Sequence, residues 1–182
     1  THFSGDSNAD PAAMARSAIE KNLAGICITD HLDYDYPDEP DLFTIDFPQY
    51  EKGIRQLQAD FSDSLNINFG IELGLQPHLA KKHHEILQEM DFDFVIGSSH
   101  VVHGLDPYYP AYYEGRSEHA AYLEYFESIL ENIAAFHEFD VYGHIDYVVR
   151  YGPEKNKNYS YDKYKDVIDE ILWQLIAHGK GI

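Results

Sequence analysis

Four short apolar runs in this chain each end in residues that can bind a metal ion. The four segments are Cys27–His31, Phe69–Glu72, Val95–His100 and Val141–Asp146. Buried strands that deliver histidine and carboxylate side chains from their carboxyl ends into one cleft can build a site for several metal ions in an α/β barrel. These ligands suit Zn, Mn or Fe, and such ions lower the pKa of bound water. The pattern therefore predicts a metal-dependent hydrolase.

The segments between these runs have the spacing of βα units. We expect strands near residues 24–29, 66–71, 92–97 and 139–143, and helices near 11–22, 47–62, 77–90, 117–136 and 161–178. Alternating strands and helices predict a mainly parallel sheet in one α/β domain over residues 1–182. Two long connections, 32–46 and 101–116, follow candidate ligands, and connections after strand ends enclose the active site of a βα barrel.

Composition and charge narrow the possible partners. The 182 residues carry a formal charge of −19, which argues against a protein that neutralises nucleic-acid phosphates with Lys and Arg. A small anionic substrate is still allowed, because bound divalent cations reverse the local charge. No apolar run approaches the roughly 18 residues of a membrane span, so we expect no membrane partner. The single cysteine, Cys27, excludes an internal disulfide and favours the reducing cytoplasm.

Five short motifs then occur in a recognisable order. They are Phe3-Ser4-Gly5-Asp6-Ser7, Thr29-Asp30-His31, Gly70-Ile71-Glu72, Gly97-Ser98-Ser99-His100 and Gly143-His144-Ile145-Asp146. Over the whole chain this series resembles the PHP phosphoesterases, and most closely the histidinol-phosphate phosphatases of histidine biosynthesis. The resemblance implies a distorted (β/α)7 barrel, similar to a TIM barrel, that holds up to three divalent metals. It also implies hydrolysis of L-histidinol phosphate to L-histidinol and phosphate, by attack of a metal-bound hydroxide on phosphorus.

The same resemblance assigns roles to individual residues. Glu72 would bridge two metals, and His100 with His144 would complete the shell of one of them. Asp6 and His31 would bind a third metal. Apart from the resemblance, Asp146 lies beside the candidate ligand His144 and is the candidate catalytic carboxylate, which would either orient His144 or contact the substrate.

Two family motifs fall outside the chain. The opening His-x-His motif would precede Thr1, and the closing Asp-x-His motif would follow Ile182. We therefore expect a barrel truncated at both ends, in which only the set of Glu72, His100 and His144 is complete. Weak or absent phosphatase activity of the 182-residue chain alone is the corresponding expectation, and apolar edges of an incomplete barrel would favour a homo-oligomer.

The substrate phosphate requires a cation. Arg150 is the first candidate, because a guanidinium can hold a phosphate through two parallel hydrogen bonds, and Arg116 is the second. Surface ion pairs are the alternative role for both. His103, in the connection after His100, would contact the substrate or occupy a solvent-facing turn. Two other functions stay open, a PHP-type nuclease or exonuclease, which the acidic composition disfavours, and a noncatalytic metal-binding domain.

Overall fold

A computed structural model describes residues 1–37 and 39–182 and shows a parallel sheet with helices between its strands. The strands are β1 (Gly25–Ile28), β2 (His31–Leu32), β3 (Asn66–Gly74), β4 (Phe94–Ser98) and β5 (Val141–Tyr142). The order is β1-β3-β4-β5, and β2 continues along the same edge of β3 that β1 occupies. Every pairing among these five strands is parallel. This order, in which parallel strands follow one another along the sheet, is the order of neighbouring strands in a βα barrel.

The helices follow the order expected from the sequence. They are α1 (Pro11–Glu20), α2 (Phe47–Phe61), α3 (Ala80–Glu89), α4 (Glu118–Ala135), α5 (Tyr147–Tyr151) and α6 (Tyr161–Ala177), with short 3₁₀ turns at Pro77–Leu79 and Pro110–Tyr113. The carboxylate of Asp10 caps α1 by accepting from two backbone N–H groups, and Pro11 occupies the first turn. The structure confirms the predicted α/β order, with boundaries within a few residues of those expected.

Two local differences affect the site. β3 runs on to Gly74, so Glu72 lies inside the strand, whereas the prediction ended this strand at Ile71. The extension exists because β4 pairs with residues 72–74 and β2 pairs with residues 72–73 on the other side, which the polar and glycine residues there do not reveal. α5 was not predicted, and it brings residues 147–151 to the cleft described below.

The Tyr50 hydroxyl forms hydrogen bonds with the backbone at the interruption between β1 and β2. The hydroxyl of this fully buried side chain of α2 accepts from the N–H of Asp30 at 3.2 Å, and its single proton is shared between the carbonyl oxygens of Ile28 and Gly70, at 3.1 and 2.8 Å. Backbone groups in the interruption are therefore satisfied without a continuous ladder. The interruption precedes His31 directly, so Tyr50 fixes the backbone that presents this ring.

Among the described helices, none combines the length and the apolar character needed to cross a bilayer.

Candidate metal centre

Strand register places the candidate ligands at one edge of the sheet. His31 of β2 lies opposite Glu72 of β3. His100 follows the end of β4 by two residues, and His144 follows the end of β5 by two residues. Because all strands are parallel, their carboxyl ends meet at the same edge, where a βα barrel carries its active site.

Glu72, His100 and His144 form a tight triangle of ligand atoms. Oε1 of Glu72 lies 3.3 Å from Nε2 of His100 and 3.2 Å from Nε2 of His144, and the two ring nitrogens are 3.4 Å apart. Zinc bonds of about 2.0–2.1 Å in a tetrahedron give ligand-to-ligand edges of about 3.3 Å. Two imidazole nitrogens and one carboxylate oxygen at this spacing therefore fit a zinc ion.

Asp6 and His31 lie beside this triangle with a similar spacing. Oδ2 of Asp6 is 3.2 Å from Nε2 of His31, and the His31 and His100 ring centroids are 5.3 Å apart. This pair offers one nitrogen and one oxygen ligand to a further cation. The structure thus brings together all five residues predicted as metal ligands.

A buried carboxylate that the sequence analysis missed holds two of these rings. The side chain of Asp33 lies 2.7 Å from Nδ1 of His31 and 2.8 Å from Nδ1 of His100, and Asp33 is 1% exposed. Although these three side chains also meet the spacing of a ligand group, the two distances are those of hydrogen bonds and fall short of a tetrahedral edge. Asp33 therefore accepts both Nδ1–H groups, which leaves both Nε2 lone pairs for metal ions.

Two glycines make room for polar side chains beneath the ligands. A Cβ at Gly74 would lie 1.9 Å from Oδ1 of Asp33, and a Cβ at Gly143 would lie 2.4 Å from Oγ of the buried Ser98. A larger residue at either position would displace the polar group of the neighbouring strand. The backbone at His144 also has a positive φ of 23°, an uncommon conformation that clusters at functional sites.

The ligands influence one another's protonation strongly. Burial opposes ionisation of Asp33, yet the adjacent His100 and His31 rings outweigh it and hold the pKa of Asp33 well below its usual range. The pKa of Glu72 is lowered in the same way, with His100 and His144 as the main partners. Burial disfavours a charged His100, but Asp33 and Glu72 raise the pKa of this ring well above its usual value. Without metal, the site therefore holds ionised carboxylates around a protonated ring.

The ligands open into a cleft of about 420 Å³, within the ~300–1,000 Å³ common for small-molecule sites. Tyrosines from both long connections and from α5 form much of its wall, and Arg150 is the only Lys or Arg that lines it among the described residues. Asp146 faces an adjoining cavity of about 630 Å³ that shares His144, Tyr147 and Arg150 with the cleft. The catalytic assignment of Asp146 stays a prediction.

The other two predicted substrate contacts do not line the cleft. His103 and Gly104 both have positive φ and form a two-residue turn between Val102 and Leu105. This turn directs the His103 ring to Glu124 and Glu131 of α4, each at 3.1 Å. Arg116 pairs with Glu124 as well. We therefore leave His103 and Arg116 out of the proposed substrate site.

Comparisons with known proteins show the family to which this chain belongs. The PHP domain family model matches residues 1–182. Histidinol-phosphatase of Lactococcus lactis is 31% identical over 183 residues, covering 100% of this chain and 67% of the relative. A probable histidinol-phosphatase of Clostridium acetobutylicum is 30% identical over 172 residues, covering 94% of this chain and 65% of the relative. The chain thus spans about two thirds of the length of these relatives.

A solved structure shares the fold closely. The crystal structure of Lactococcus lactis histidinol phosphate phosphatase, complexed with Zn, L-histidinol and phosphate, matches with a TM-score of 0.93 at 32% identity. The match covers 99% of this chain and 68% of that chain. These findings confirm the predicted family and the PHP-type α/β fold class. The chain, which carries the metal-ligand motifs on successive parallel strands, belongs to the PHP family and within it is similar to histidinol-phosphatases.

Proposed function

We propose that this chain is the metal-binding part of a phosphatase that hydrolyses L-histidinol phosphate to L-histidinol and phosphate. The observation that carries the proposal is the triangle of Glu72, His100 and His144, which lines the same cleft as Arg150. The Lactococcus relative, which was crystallised with zinc and both products, supports the choice of substrate.

The chain offers ligands for two neighbouring cations. Glu72, His100 and His144 would hold one, and Asp6 with His31 would contribute to another. When bound, divalent ions polarise phosphoryl oxygens and lower the pKa of water, which is the chemistry that hydrolysis of a phosphate monoester needs. Zn, Mn and Fe all suit imidazole and carboxylate ligands.

Arg150 supplies the fixed positive charge of the cleft. Among the described residues no carboxylate forms an ion pair with its guanidinium, and the side chain is exposed at the boundary of the two cavities. A guanidinium in this position can bind two phosphate oxygens through parallel hydrogen bonds. In a chain of formal charge −19, an arginine that lines the same cleft as the ligating carboxylates, and that pairs with no carboxylate among the described residues, is suited to an anionic substrate.

Asp33 keeps the two rings that it contacts in the ligating tautomer. Because both Nδ1 atoms donate to this carboxylate, both Nε2 atoms stay free of protons once the extra proton has left. The burial of Asp33 keeps water from competing for these hydrogen bonds.

The proposal is tested in the protein that carries this chain, by measuring zinc content and phosphate release from L-histidinol phosphate. Glu72→Gln keeps the side-chain shape but removes the negative charge that both rings contact. We therefore expect zinc affinity and phosphate release to fall by more than the ~10- to 100-fold that is typical when a residue behind the metal ligands is replaced. Glu138→Gln is the matched control, because this exposed glutamate contacts only His84 among the described histidines. Zinc binding without phosphate release, or equal activity of Glu72→Gln and Glu138→Gln, would refute the proposal.

Partners and location follow the same proposal. The substrate class is a small phosphate monoester, and single-stranded DNA serves as the comparison that tests a PHP nuclease. A cytoplasmic location, inferred from the single free Cys27, and a homo-oligomer stay predictions.

A further inference from the structure

Asp106 is a buried carboxylate in the cleft wall. It is 4% exposed and belongs to the connection after β4. Its oxygens accept from the hydroxyls of Tyr36 at 2.6 Å and Tyr147 at 3.0 Å, and from the N–H of Tyr108 at 2.7 Å. Among the described residues, no Lys, Arg or His forms an ion pair with it.

The hydrogen bonds satisfy Asp106 only in part. A carboxylate offers about four acceptor positions, and three neutral donors occupy three of them. Burial and the charge of Asp106 both raise the pKa of Tyr36 and of Tyr147, so these hydroxyls stay protonated and keep donating. A buried charge surrounded only by neutral donors is costly, and a ligand cation at the fourth position would compensate it.

The neighbouring aromatic rings favour the same kind of ligand. The Tyr108 ring lies 5.0 Å from the Tyr109 and Tyr151 rings, and the Tyr147 ring lies 4.9 Å from that of Tyr151. All four line the cleft beside Asp106. The faces of tyrosine rings attract organic cations, and their area suits a flat substituent.

The cleft therefore has two chemically different regions. Arg150 and the metal ligands form a region for an anion, whereas Asp106 and the tyrosines form a region for a cation. A phosphate monoester of an amino alcohol carries both charges in one molecule. A phosphate monoester of a neutral alcohol would leave Asp106 without a counter-charge.

We propose that Asp106 is a specificity-determining residue that binds the ammonium group of the substrate, with the surrounding tyrosines packing against the remaining organic part. The inference rests on the proposed function, which supplies the phosphate end of the substrate. It adds that the protein selects phosphate esters of cationic amino alcohols over those of neutral alcohols.

The test compares two substrates that differ by one amino group. L-Histidinol phosphate is measured beside 3-(imidazol-4-yl)propyl phosphate, which lacks the amine, with the zinc-loaded protein. We expect the wild type to prefer the amine by about 10- to 100-fold in kcat/KM, the size of a hydrogen bond to a charged group. Asp106→Asn should remove most of this preference while leaving kcat/KM for the deaminated ester within about threefold. Asp41→Asn, an exposed carboxylate in the other long connection, controls for the change of charge.

Binding of L-histidinol, followed by calorimetry, provides a readout that needs no turnover. Weaker binding of L-histidinol to Asp106→Asn than to Asp41→Asn supports the role of Asp106 in binding the amine. This conclusion stands even if neither ester is hydrolysed, and lack of hydrolysis would refute only the proposed function. Equal binding of L-histidinol to both variants would overturn the role of Asp106. The role of Asp106 would also be overturned if the wild type hydrolysed both esters equally well. This comparison uses the wild type alone, so it is informative even if Asp106→Asn does not fold. An equal loss for both esters would show that Asp106 acts only as a structural support.

Discussion

Replacing Asp33 by Asn tests how the structure prepares two imidazoles for metal binding. Asn has the shape of Asp, so it fits the space above Gly74 without a new contact. Its amide, however, has one acceptor oxygen and one donor nitrogen where the carboxylate had two acceptors. The oxygen can accept from Nδ1 of one ring, but the NH2 group then faces Nδ1 of the other. That ring must change tautomer and carry its proton on Nε2, the atom that points to the metal position.

The expected magnitude follows from the two hydrogen bonds of 2.7 and 2.8 Å that Asp33 accepts. Loss of an outer carboxylate partner typically weakens metal binding ~10- to 100-fold, or by about 1.4–2.8 kcal/mol. Since His31 and His100 belong to different ligand sets, at least one zinc should bind more weakly by this factor. The other site should retain its affinity, because the amide oxygen still orients one ring.

Zinc affinity measured by competition with a chromophoric chelator gives the readout, with metal content per chain as an independent check. Asp41→Asn removes an exposed carboxylate and should leave both quantities unchanged. If Asp33→Asn binds zinc at all sites within about twofold of the wild type, the orienting role assigned to Asp33 is wrong. If Asp33→Asn loses zinc affinity equally at all sites and also unfolds at a much lower temperature, the loss indicates a folding defect. Thermal unfolding is therefore recorded for both variants.

Three further perturbations probe the same centre. Gly74→Ala places a Cβ 1.9 Å from the Asp33 carboxylate and should reduce zinc affinity much as Asp33→Asn does; full affinity in a metal titration would contradict this. Arg150→Ala should raise KM for L-histidinol phosphate by about 10- to 100-fold at unchanged zinc content, because one guanidinium–phosphate pair is lost, and steady-state kinetics with an unaltered KM would exclude Arg150 from the site. The raised pKa of His100 means that the metal-free ring holds a proton at neutral pH, so zinc affinity should increase as the pH rises from 6 to 8 and binding should release protons. Calorimetry in two buffers of different ionisation enthalpy would detect that release, and its absence would contradict the assigned protonation.

The sequence was sufficient for the order of elements, and the structure brings together the five residues predicted as metal ligands, whose metal binding stays a prediction. Strand-length apolar runs that end in His or Glu are visible in one dimension, and parallel strands bring their carboxyl ends together. The match to known histidinol-phosphatases confirms the family predicted from the five motifs. What the motifs could not supply is the direction of side chains in the long connections.

His103 and Arg116 show this limit. Both lie in the connection that follows His100, and closeness in sequence suggested that they reach the cleft. The turn at His103 and Gly104, in which both residues have positive φ, directs the histidine to α4 instead. Glu124 of α4 then pairs with both His103 and Arg116. Abundant carboxylates on a helix surface compete with the substrate for scarce cations, and this competition depends on packing rather than on sequence position.

Asp33 was missed for a different reason, because its role depends on strand register. In a strand, residues two apart share a face, so Asp33 lies on the face of His31. The pairing of His31 with Glu72 brings Asp33 beside Gly74, and only there does the missing side chain leave space for a carboxylate. On β4 and β5 the same arrangement recurs with Ser98 and Gly143. The pattern that would have indicated these supporting side chains is therefore a polar residue two positions from a ligand and beside a glycine of the neighbouring strand. Its signal lies in the pairing of strands, which no single segment of the sequence contains.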